Sequence, residues 1–276
     1  MDTVCIHSFK GGTGKTSLAI NIAAILARNG QDVTLLDFDF AAPSLHTIFN
    51  VKPNYYLNDF ISEKCNVEDL LVDLSSKFPS CEGKFKVGFA DPETESIRFM
   101  ITQGRKWQMK AIGRIMTLKR ALARNHGMDY LFLDTSPGVS YNSVNAIVAS
   151  DKVLLIVKLD TTDFSGTLMM LKGIHAELER ETYLILNKVP LSSEEVKIHT
   201  SDLEASNLQG TPEEYLKFLK EKFSSVKGKF FTIAGVMPCY CSVTLSRSEE
   251  ILAFSQPDHL FVKGIKEIIL PRITGN

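Results

Sequence analysis

The sequence predicts an α/β fold in which a doubly wound, mostly parallel sheet carries helices on both faces. Short apolar runs with little alternation are typical of strands buried on both faces, and they lie at 4–7, 33–36, 130–133, 153–157, 183–186 and 231–236. Stretches with helical periodicity separate them, among them 15–28, 106–124 and 162–179. Strands that alternate with helices of this length form right-handed crossovers, so we expect one domain over residues 1–276.

Composition excludes several classes of protein. The 276 residues include 31 Lys+Arg and 32 Asp+Glu, which gives a net charge of −1. This balance argues against global disorder and against a dedicated, strongly basic nucleic-acid binder, although a local basic face stays possible. The five cysteines are an odd number scattered through a large chain, which favours reduced thiols over a disulfide framework. No apolar run approaches the roughly 20 residues of a membrane span, so we expect a cytoplasmic protein.

Two segments interrupt the alternation of strands and helices. Residues 83–102 read as two strands around an Asp-Pro turn, which predicts an extra hairpin. Residues 190–229 form a polar insertion in which Thr211 is placed to cap a helix that begins at Pro212. We expect the apolar stripe of this helix to pack on the body of the protein rather than on a partner; its members are Tyr215, Leu216, Leu219 and Phe223.

The strongest motif is KGGTGKTS, which lies between the first predicted strand and the first long helix. Its glycines let the backbone wrap around phosphates, and the helix that follows presents its positive end to them. Lys15 is placed to neutralise the β- and γ-phosphates, and the Thr16 hydroxyl to ligate Mg²⁺. The motif predicts a P-loop NTPase fold and a phosphate site formed by Gly11, Gly12, Thr13, Gly14, Lys15, Thr16 and Ser17.

Three aspartates follow buried strands and complete the candidate site. Asp134 ends the apolar run at 130–133, where a carboxylate can bind Mg²⁺ directly or through its waters. Asp37 and Asp39 stand two residues apart at the end of the second predicted strand. Aspartates are also common in turns and caps at strand exits, and this second interpretation stays open for all three.

The chain resembles the ParA/MinD group of ATPases along most of its length. The phosphate loop is similar to the deviant Walker A motif of that group. In this chain Lys10 stands at the second position of the motif, and Phe9 stands where the ordinary pattern has glycine. The order of further motifs agrees with the resemblance, namely LLDFDFAAPSL at 35–45, LFLDTSPGVS at 131–140, ILNKV at 185–189, MPCYCSVTLSRSEE at 237–250 and PDHLFVKGIKEII at 257–269. The resemblance implies an ATP-dependent homodimer in which Lys10 reaches the partner's nucleotide.

The resemblance also implies residue roles. It assigns the catalytic roles to Lys10, Lys15 and Asp39, with Asp39 beside the attacking water, and a place in the Mg²⁺ shell to Thr16, Asp37 and Asp134. The base site is expected at Asn187 and near Pro238, although Asn187 is equally suited to cap its strand. Pro190 stands where a guanine-reading carboxylate is needed, so ATP is favoured over GTP. The expected cofactors are therefore ATP and Mg²⁺.

Two alternatives remain open at this point. Cys239 and Cys241 flank one residue, and a two-fold dimer would supply four thiolates for Zn²⁺ or an iron–sulfur cluster.

The main hypothesis is a dimerisation switch with a positional or regulatory output and a protein partner that stimulates turnover; the alternative is a nucleotide-gated carrier of a metal or client. Contact with DNA or a membrane is possible but unsupported by composition. The amphipathic segment at 260–273 is expected to dock on the core.

Overall fold

A computed structural model describes residues 1–190, 192, 208, 210–240, 243 and 250–275. Within this part of the chain one sheet contains β1 Asp2–His7, β2 Val33–Phe38, β3 Val72–Asp73, β4 Phe85–Gly88, β5 Tyr130–Thr135, β6 Lys152–Val157, β7 Glu181–Val189 and β8 Phe231–Pro238. Their order across the sheet is β3-β4-β2-β5-β1-β6-β7-β8. Every neighbouring pair is parallel except β3 with β4. The predicted mostly parallel sheet is confirmed.

Helices connect the strands. They are α1 Lys15–Arg28, α2 Leu45–Ile48, α3 Leu57–Ile61, α4 Val67–Leu70, α5 Thr94–Thr102, α6 Arg105–Arg124, α7 Tyr141–Ala149, α8 Thr161–Met170, α9 Ala176–Leu178, α10 Pro212–Lys222, α11 Leu252–Ser255, α12 Leu260–Gly264 and α13 Leu270–Thr274. A 3₁₀ turn spans Ser75–Lys77, and π-helical turns at Leu171–His175 and Ile265–Ile269 join α8 to α9 and α12 to α13. The predicted helix at 15–28 has the observed bounds, and those at 106–124 and 162–179 agree to within one residue.

Both faces of the sheet are covered, as a doubly wound fold requires. On one face, α1 and the C-terminal helices pack over side chains such as Val4 and Ile6 of β1. On the other face, α3, α6 and α7 pack over the alternate residue Cys5. Farther along this second face, α8 and α10 cover Leu155 of β6 and Leu184 of β7. Apolar burial on both sides explains why the strands read as nearly continuous hydrophobic runs.

The predicted hairpin at 83–102 is wrong. Its first strand exists as β4, but β4 pairs antiparallel with the preceding strand β3 and parallel with β2. The second predicted strand is helix α5. The Asp91 carboxylate accepts hydrogen bonds from the Glu93 amide, at 3.0 Å, and from the Ser96 hydroxyl, so it stabilises the start of this helix rather than a hairpin turn.

The described part of the insertion contains the predicted helix. Thr211 caps α10, because its hydroxyl accepts a hydrogen bond from the Glu214 amide at 3.4 Å. Its apolar side packs on the body as expected, with Tyr215, Phe218, Leu219 and Phe223 buried and Leu216 partly buried. The Tyr215 hydroxyl also donates to the Pro190 carbonyl at 2.8 Å, so the helix is attached to the segment that leaves β7.

The C-terminal segment docks on the core, as expected from its amphipathic sequence. Its apolar side chains Phe261, Val262, Ile265, Ile269 and Ile273 are buried in the cluster that also contains α1. Pro271 lies in the first turn of α13, directly after the π-helical turn at Ile265–Ile269. Among the residues that the structure describes, no helix combines the length and the apolar character needed to cross a membrane.

Candidate nucleotide-binding site

The glycine-rich loop connects β1 to α1 at the carboxyl edge of the sheet. Gly12 and Gly14 have φ values of 74° and 93°, which glycine adopts without strain. Gly14 is the N-cap of α1 and has no side chain that could cap the helix. A Cβ added to Gly14 would lie 2.6 Å from the Asn187 side chain. The loop therefore leaves the first amides of α1 available to an anion, which is the arrangement that binds phosphate.

Lys15 is buried beneath this loop with its amine held by a hydroxyl rather than by a carboxylate. Its Nζ donates to Ser8 Oγ at 3.0 Å, and Ser8 Oγ donates to the Lys10 carbonyl at 2.6 Å. None of the ion pairs between described residues involves Lys15. Burial lowers the pKa of Lys15, while the nearby charges of Asp134 and Asp39 oppose the shift. A buried ammonium group without a carboxylate partner is suited to bind phosphate oxygens.

Asp134 lies near the end of β5 and is the strongest candidate for a metal ligand. Its side chain is 1% exposed, and neither carboxylate oxygen has a well-formed hydrogen bond among the described residues, although the Thr16 hydroxyl lies close enough to lower its pKa. Burial raises the pKa of Asp134 to about 7, although the Thr16 hydroxyl and the Lys15 charge lower it. A buried carboxylate without partners is costly, and a divalent cation between Thr16 and Asp134 would satisfy it. The donor set fits Mg²⁺, which prefers oxygen ligands.

Asp37 and Asp39 have different surroundings despite their proximity in sequence. The fully buried Asp37 carboxylate accepts three backbone hydrogen bonds at 3.1 Å, from the amides of Asp39, Ser44 and Leu45. These contacts favour a role in shaping the 39–45 loop over the predicted place in the Mg²⁺ shell. Asp39 is only half-buried, and its carboxylate accepts from the Ala42 amide at 3.0 Å, which leaves it accessible from the loop side.

Lys10 does not extend freely into solvent in the single chain. Its Nζ forms an ion pair with Asp160 Oδ1 at 2.8 Å, in the turn between β6 and α8. Sequence reasoning missed Asp160, together with Ser8. The two aspartates at 160 and 163 follow an apolar run, but only the observed pairing of β6 with β1 places them beside the phosphate loop.

A cavity of about 330 Å³ adjoins the loop where the base site was predicted, and its lining includes Ser17, Asn187, Pro238 and Cys239. The Asn187 amide nitrogen donates to the Thr13 carbonyl at 2.8 Å, and Lys188 Nζ donates to the Gly12 carbonyl at 3.0 Å. Asn187 therefore supports the phosphate loop directly. The predicted contact of Asn187 with a base stays a prediction. Any such contact has to use the side-chain oxygen of Asn187 or its second amide N–H.

Of the two cysteines in the pair, Cys239 lies among the described residues. Cys239 is exposed at the rim of the cavity, whereas Cys241 lies outside the described residues, as does most of the 241–249 segment. Among described residues there is no group of three or more metal-ligating side chains. Metal binding by this pair remains an untested alternative.

The fold and this loop define a P-loop nucleotide-binding protein of the doubly wound class. The family model described as "AAA domain" matches residues 1–188, which is more than half of the chain. The chain belongs to this family, and within it to the ParA/MinD group of P-loop ATPases, as the resemblance predicted.

Similar proteins agree with this assignment. The antiactivator FleN of Pseudomonas aeruginosa is 23% identical over 195 residues, which cover 71% of this chain and 64% of FleN. The septum site-determining protein MinD of Helicobacter pylori is 24% identical over 67% of this chain and 66% of its own length. The matched stretch thus spans less than two thirds of either relative. The structure of Pyrococcus horikoshii MinD complexed with Mg-ADP superposes with a TM-score of 0.69 at 15% identity, covering 97% of this chain and 93% of that one.

Proposed function

We propose that this chain is an ATP-dependent dimerisation switch that binds ATP with Mg²⁺, closes against a second copy and reopens after hydrolysis. The observation that carries the proposal is the pairing of a buried Lys15 amine, which has no ion-pair partner among the described residues, with the unpartnered carboxylate of Asp134. Each of these charges is costly in the free protein. A triphosphate with its metal ion would satisfy both.

Phosphoryl transfer requires neutralised charge, in-line geometry and an oriented water more than it requires covalent chemistry. The amides at the start of α1 and the Lys15 amine bind and orient the β- and γ-phosphates. Thr16 and Asp134 would hold Mg²⁺, which when bound neutralises phosphate charge and fixes the geometry of the oxygens. These groups already lie on rigid elements, so little reorganisation is needed on binding.

Asp39 is the group that we assign to the attacking water. It follows β2, it is half-buried, and the Ala42 amide orients its carboxylate. Its charge is close enough to raise the pKa of Lys15, so it lies near the position of the phosphates. Asp37 supports this role indirectly, because its carboxylate accepts a hydrogen bond from the Asp39 amide.

ATP is the proposed nucleotide rather than GTP. A guanine site needs an acid to accept hydrogen bonds from the ring N–H and the exocyclic amino group. Pro190 has no acceptor in its side chain, and its carbonyl already accepts from the Tyr215 hydroxyl. Adenine needs no such carboxylate, and the cavity beside Asn187 and Pro238 is the proposed base site.

The output of the switch is proposed to be positional or regulatory, with a protein partner that stimulates turnover. The names "septum site-determining protein" and "antiactivator" of two similar proteins support this class of output. We place the protein in the cytoplasm, consistent with the reduced thiols of Cys5, Cys65 and Cys81. The alternative is a nucleotide-gated carrier of metal or client, for which the exposed Cys239 beside the cavity is the supporting observation.

Sedimentation of the wild type and of Asp39→Ala tests the proposal. With ATP and Mg²⁺, Asp39→Ala should bind nucleotide, fail to hydrolyse it and accumulate as a dimer, because the phosphate and metal ligands remain intact. With ADP both proteins should be monomers. A monomer under all conditions, or a dimer that ignores the nucleotide, would contradict the switch. Zn²⁺ or iron copurifying at one per dimer would favour the carrier.

A further inference from the structure

We infer that Asp160 is a positioning residue for Lys10: it holds the lysine in a resting contact within the single chain, and this contact opens when Lys10 serves a second copy. The inference rests on the proposed dimerisation switch for the role of Lys10. In this inference Asp160 competes with the dimer for Lys10. Neither the phosphate-loop motif nor its spacing identifies Asp160.

The Lys10–Asp160 contact is an ion pair of limited exposure. The Nζ to Oδ1 distance is 2.8 Å, and the two side chains are 34% and 23% exposed. Burial alone would raise the pKa of Asp160, but hydrogen bonds from Lys10 and Thr162 hold that pKa well below its usual range. The carboxylate is therefore charged over the whole physiological pH range, and it attracts the lysine whenever the chain is monomeric.

Asp160 is fixed in place by its role as the N-cap of α8. Its Oδ1 accepts from the Asp163 amide at 2.8 Å and from the Thr162 hydroxyl at 2.6 Å, in addition to Lys10. Moving this carboxylate would remove the cap, which typically costs about 1 kcal/mol. The lysine, in contrast, has a flexible stem and no such constraint. The mobile partner in this contact is therefore Lys10.

The residue before Lys10 is also docked on α8. The Phe9 ring lies so close to Gly166 that a Cβ on that glycine would be 2.0 Å from the ring. Phe9 stands where the ordinary phosphate-loop pattern has glycine, so this chain attaches the start of its loop to α8 by a side chain that the pattern lacks. With the backbone held at Phe9, Lys10 changes partners through rotation of its own side chain.

These contacts make the resting ion pair a competitor of the dimer. Lys10 leaves Asp160 before it reaches phosphates on another subunit, so the dimer loses the free energy of the ion pair. Ion pairs that are partly exposed to solvent contribute modestly to stability. We therefore expect removal of the Asp160 charge to strengthen ATP-dependent dimerisation by roughly 3- to 10-fold in protein concentration. The gain should shrink as salt screens the pair.

The test compares Asp160→Asn and Asp160→Ser with the wild type and with Glu63→Gln. Asn and Ser keep an oxygen that caps α8 while removing the charge. Glu63→Gln removes the exposed Lys110–Glu63 ion pair, which lies away from the loop, and serves as the matched control. One readout is the midpoint of ATP-dependent dimerisation at low and high salt. The second is the rate at which an acylating reagent modifies Lys10 without nucleotide, followed by mass spectrometry.

Both Asp160 variants should lower the dimerisation midpoint at low salt and raise Lys10 labelling several-fold, with Glu63→Gln unchanged in both. Wild-type values in both readouts, or a weaker dimer, would overturn the inference, the latter because Asp160 would then act within the dimer. If no protein dimerises with ATP, the proposed function fails instead. The labelling rates still decide whether Asp160 holds Lys10 in the single chain.

Discussion

Asp37 and Asp134 are register partners in the parallel ladder between β2 and β5, and both carboxylates are buried. Burial raises the pKa of each, and the proximity of Asp134 raises that of Asp37 further. Their partners differ. Asp37 accepts three backbone hydrogen bonds from the loop that follows β2, whereas Asp134 has none among the described residues. We therefore propose that Asp37 shapes the site and that Asp134 binds a cation.

Removing the charge at Asp134 should stabilise the ligand-free protein and abolish Mg²⁺-dependent nucleotide binding. The pKa is about 7 in the folded chain and near 3.8 in the unfolded chain. The Asp134 carboxyl group therefore makes its full favourable contribution to the free energy of unfolding below pH 3.8. This contribution is lost as the pH rises to 7. Asp134→Asn should therefore raise Tm at pH 8 by several degrees, since each kcal/mol corresponds to about 2–4 °C. Calorimetry without Mg²⁺ measures this.

Asp37→Asn is the matched control for that experiment. An amide group cannot accept on both sides, so its NH₂ would face at least one backbone donor of the 39–45 loop, and Tm should fall. Equal gains in the two variants would show that burial of the charge, rather than the missing partners of Asp134, determines the effect.

A second prediction concerns the buried histidines His7 and His175, whose ring centroids lie 6.4 Å apart. Thr135 Oγ1 donates to the Ile6 carbonyl, so His7 Nδ1 donates to Thr135, and His7 Nε2 has no partner among described residues. Burial lowers the pKa of His7 to about 3 and of His175 to about 4. Both are neutral in the folded chain and protonate on unfolding below pH 6.5.

Stability should therefore fall as the pH drops from 6.5 towards 4, by up to about 1.4 kcal/mol per pH unit for each histidine. Urea unfolding of Asp134→Asn measures this fall in stability without the opposite pH dependence that Asp134 contributes. Adding His175→Asn should make this fall in stability clearly shallower. A slope that His175→Asn leaves unchanged would show that other groups cause the acid sensitivity.

The third prediction is selectivity for ATP over GTP. GTP would leave two polar groups of guanine without a carboxylate at Pro190, and each unpaired group costs about 1 to 3 kcal/mol. GTP should compete for labelled ATP at least roughly 10-fold less well. Equal competition by the two nucleotides would refute this interpretation of the base site.

The fourth prediction separates ATP turnover from the cysteines. Cys239→Ser with Cys241→Ser should leave hydrolysis within a few fold, because neither thiol has a phosphate or metal role in the proposed site. Metal analysis and sedimentation of the same variant supply the contrast. Joint loss of a stoichiometric metal and of the dimer would favour the carrier over the switch.

The sequence pattern predicted the features that depend on residues close together in the chain. The continuous apolar runs predicted the six long strands, and the glycines with Lys15 and Thr16 predicted the phosphate loop. The predicted hairpin is wrong because the segment after Asp91 forms a helix whose start is stabilised by the Asp91 carboxylate. Asp91 stabilises the start of α5, and the helix buries Met100 while Phe99 stays exposed.

Contacts between distant segments were beyond sequence reasoning. Asp160 reaches Lys10 only because β6 pairs with β1, and the strand order of the sheet is not encoded in spacing. The use of Asn187 on the Thr13 carbonyl depends in the same way on where β7 ends. Asp37 shows a different limit, since its three hydrogen bonds come from backbone amides that carry no sequence signal.

The last prediction addresses Lys10 itself. Lys10→Ala should still bind ATP, because Lys15 and the loop amides are intact, but should lose ATP-induced dimerisation and hydrolysis. A cation supplied across an interface to a transferring phosphoryl group is comparable to an arginine finger, which contributes on the order of 10³ to 10⁵ in rate. Lys188→Ala is the control, since Lys188 also contacts the loop, through the Gly12 carbonyl, from an exposed position. It should keep both activities largely intact. Sedimentation with ATP and Mg²⁺, together with nucleotide titration, measures all three properties. A Lys10→Ala dimer as strong as that of the wild type would mean that Lys10 does not act across the interface, and the switch mechanism would have to be abandoned.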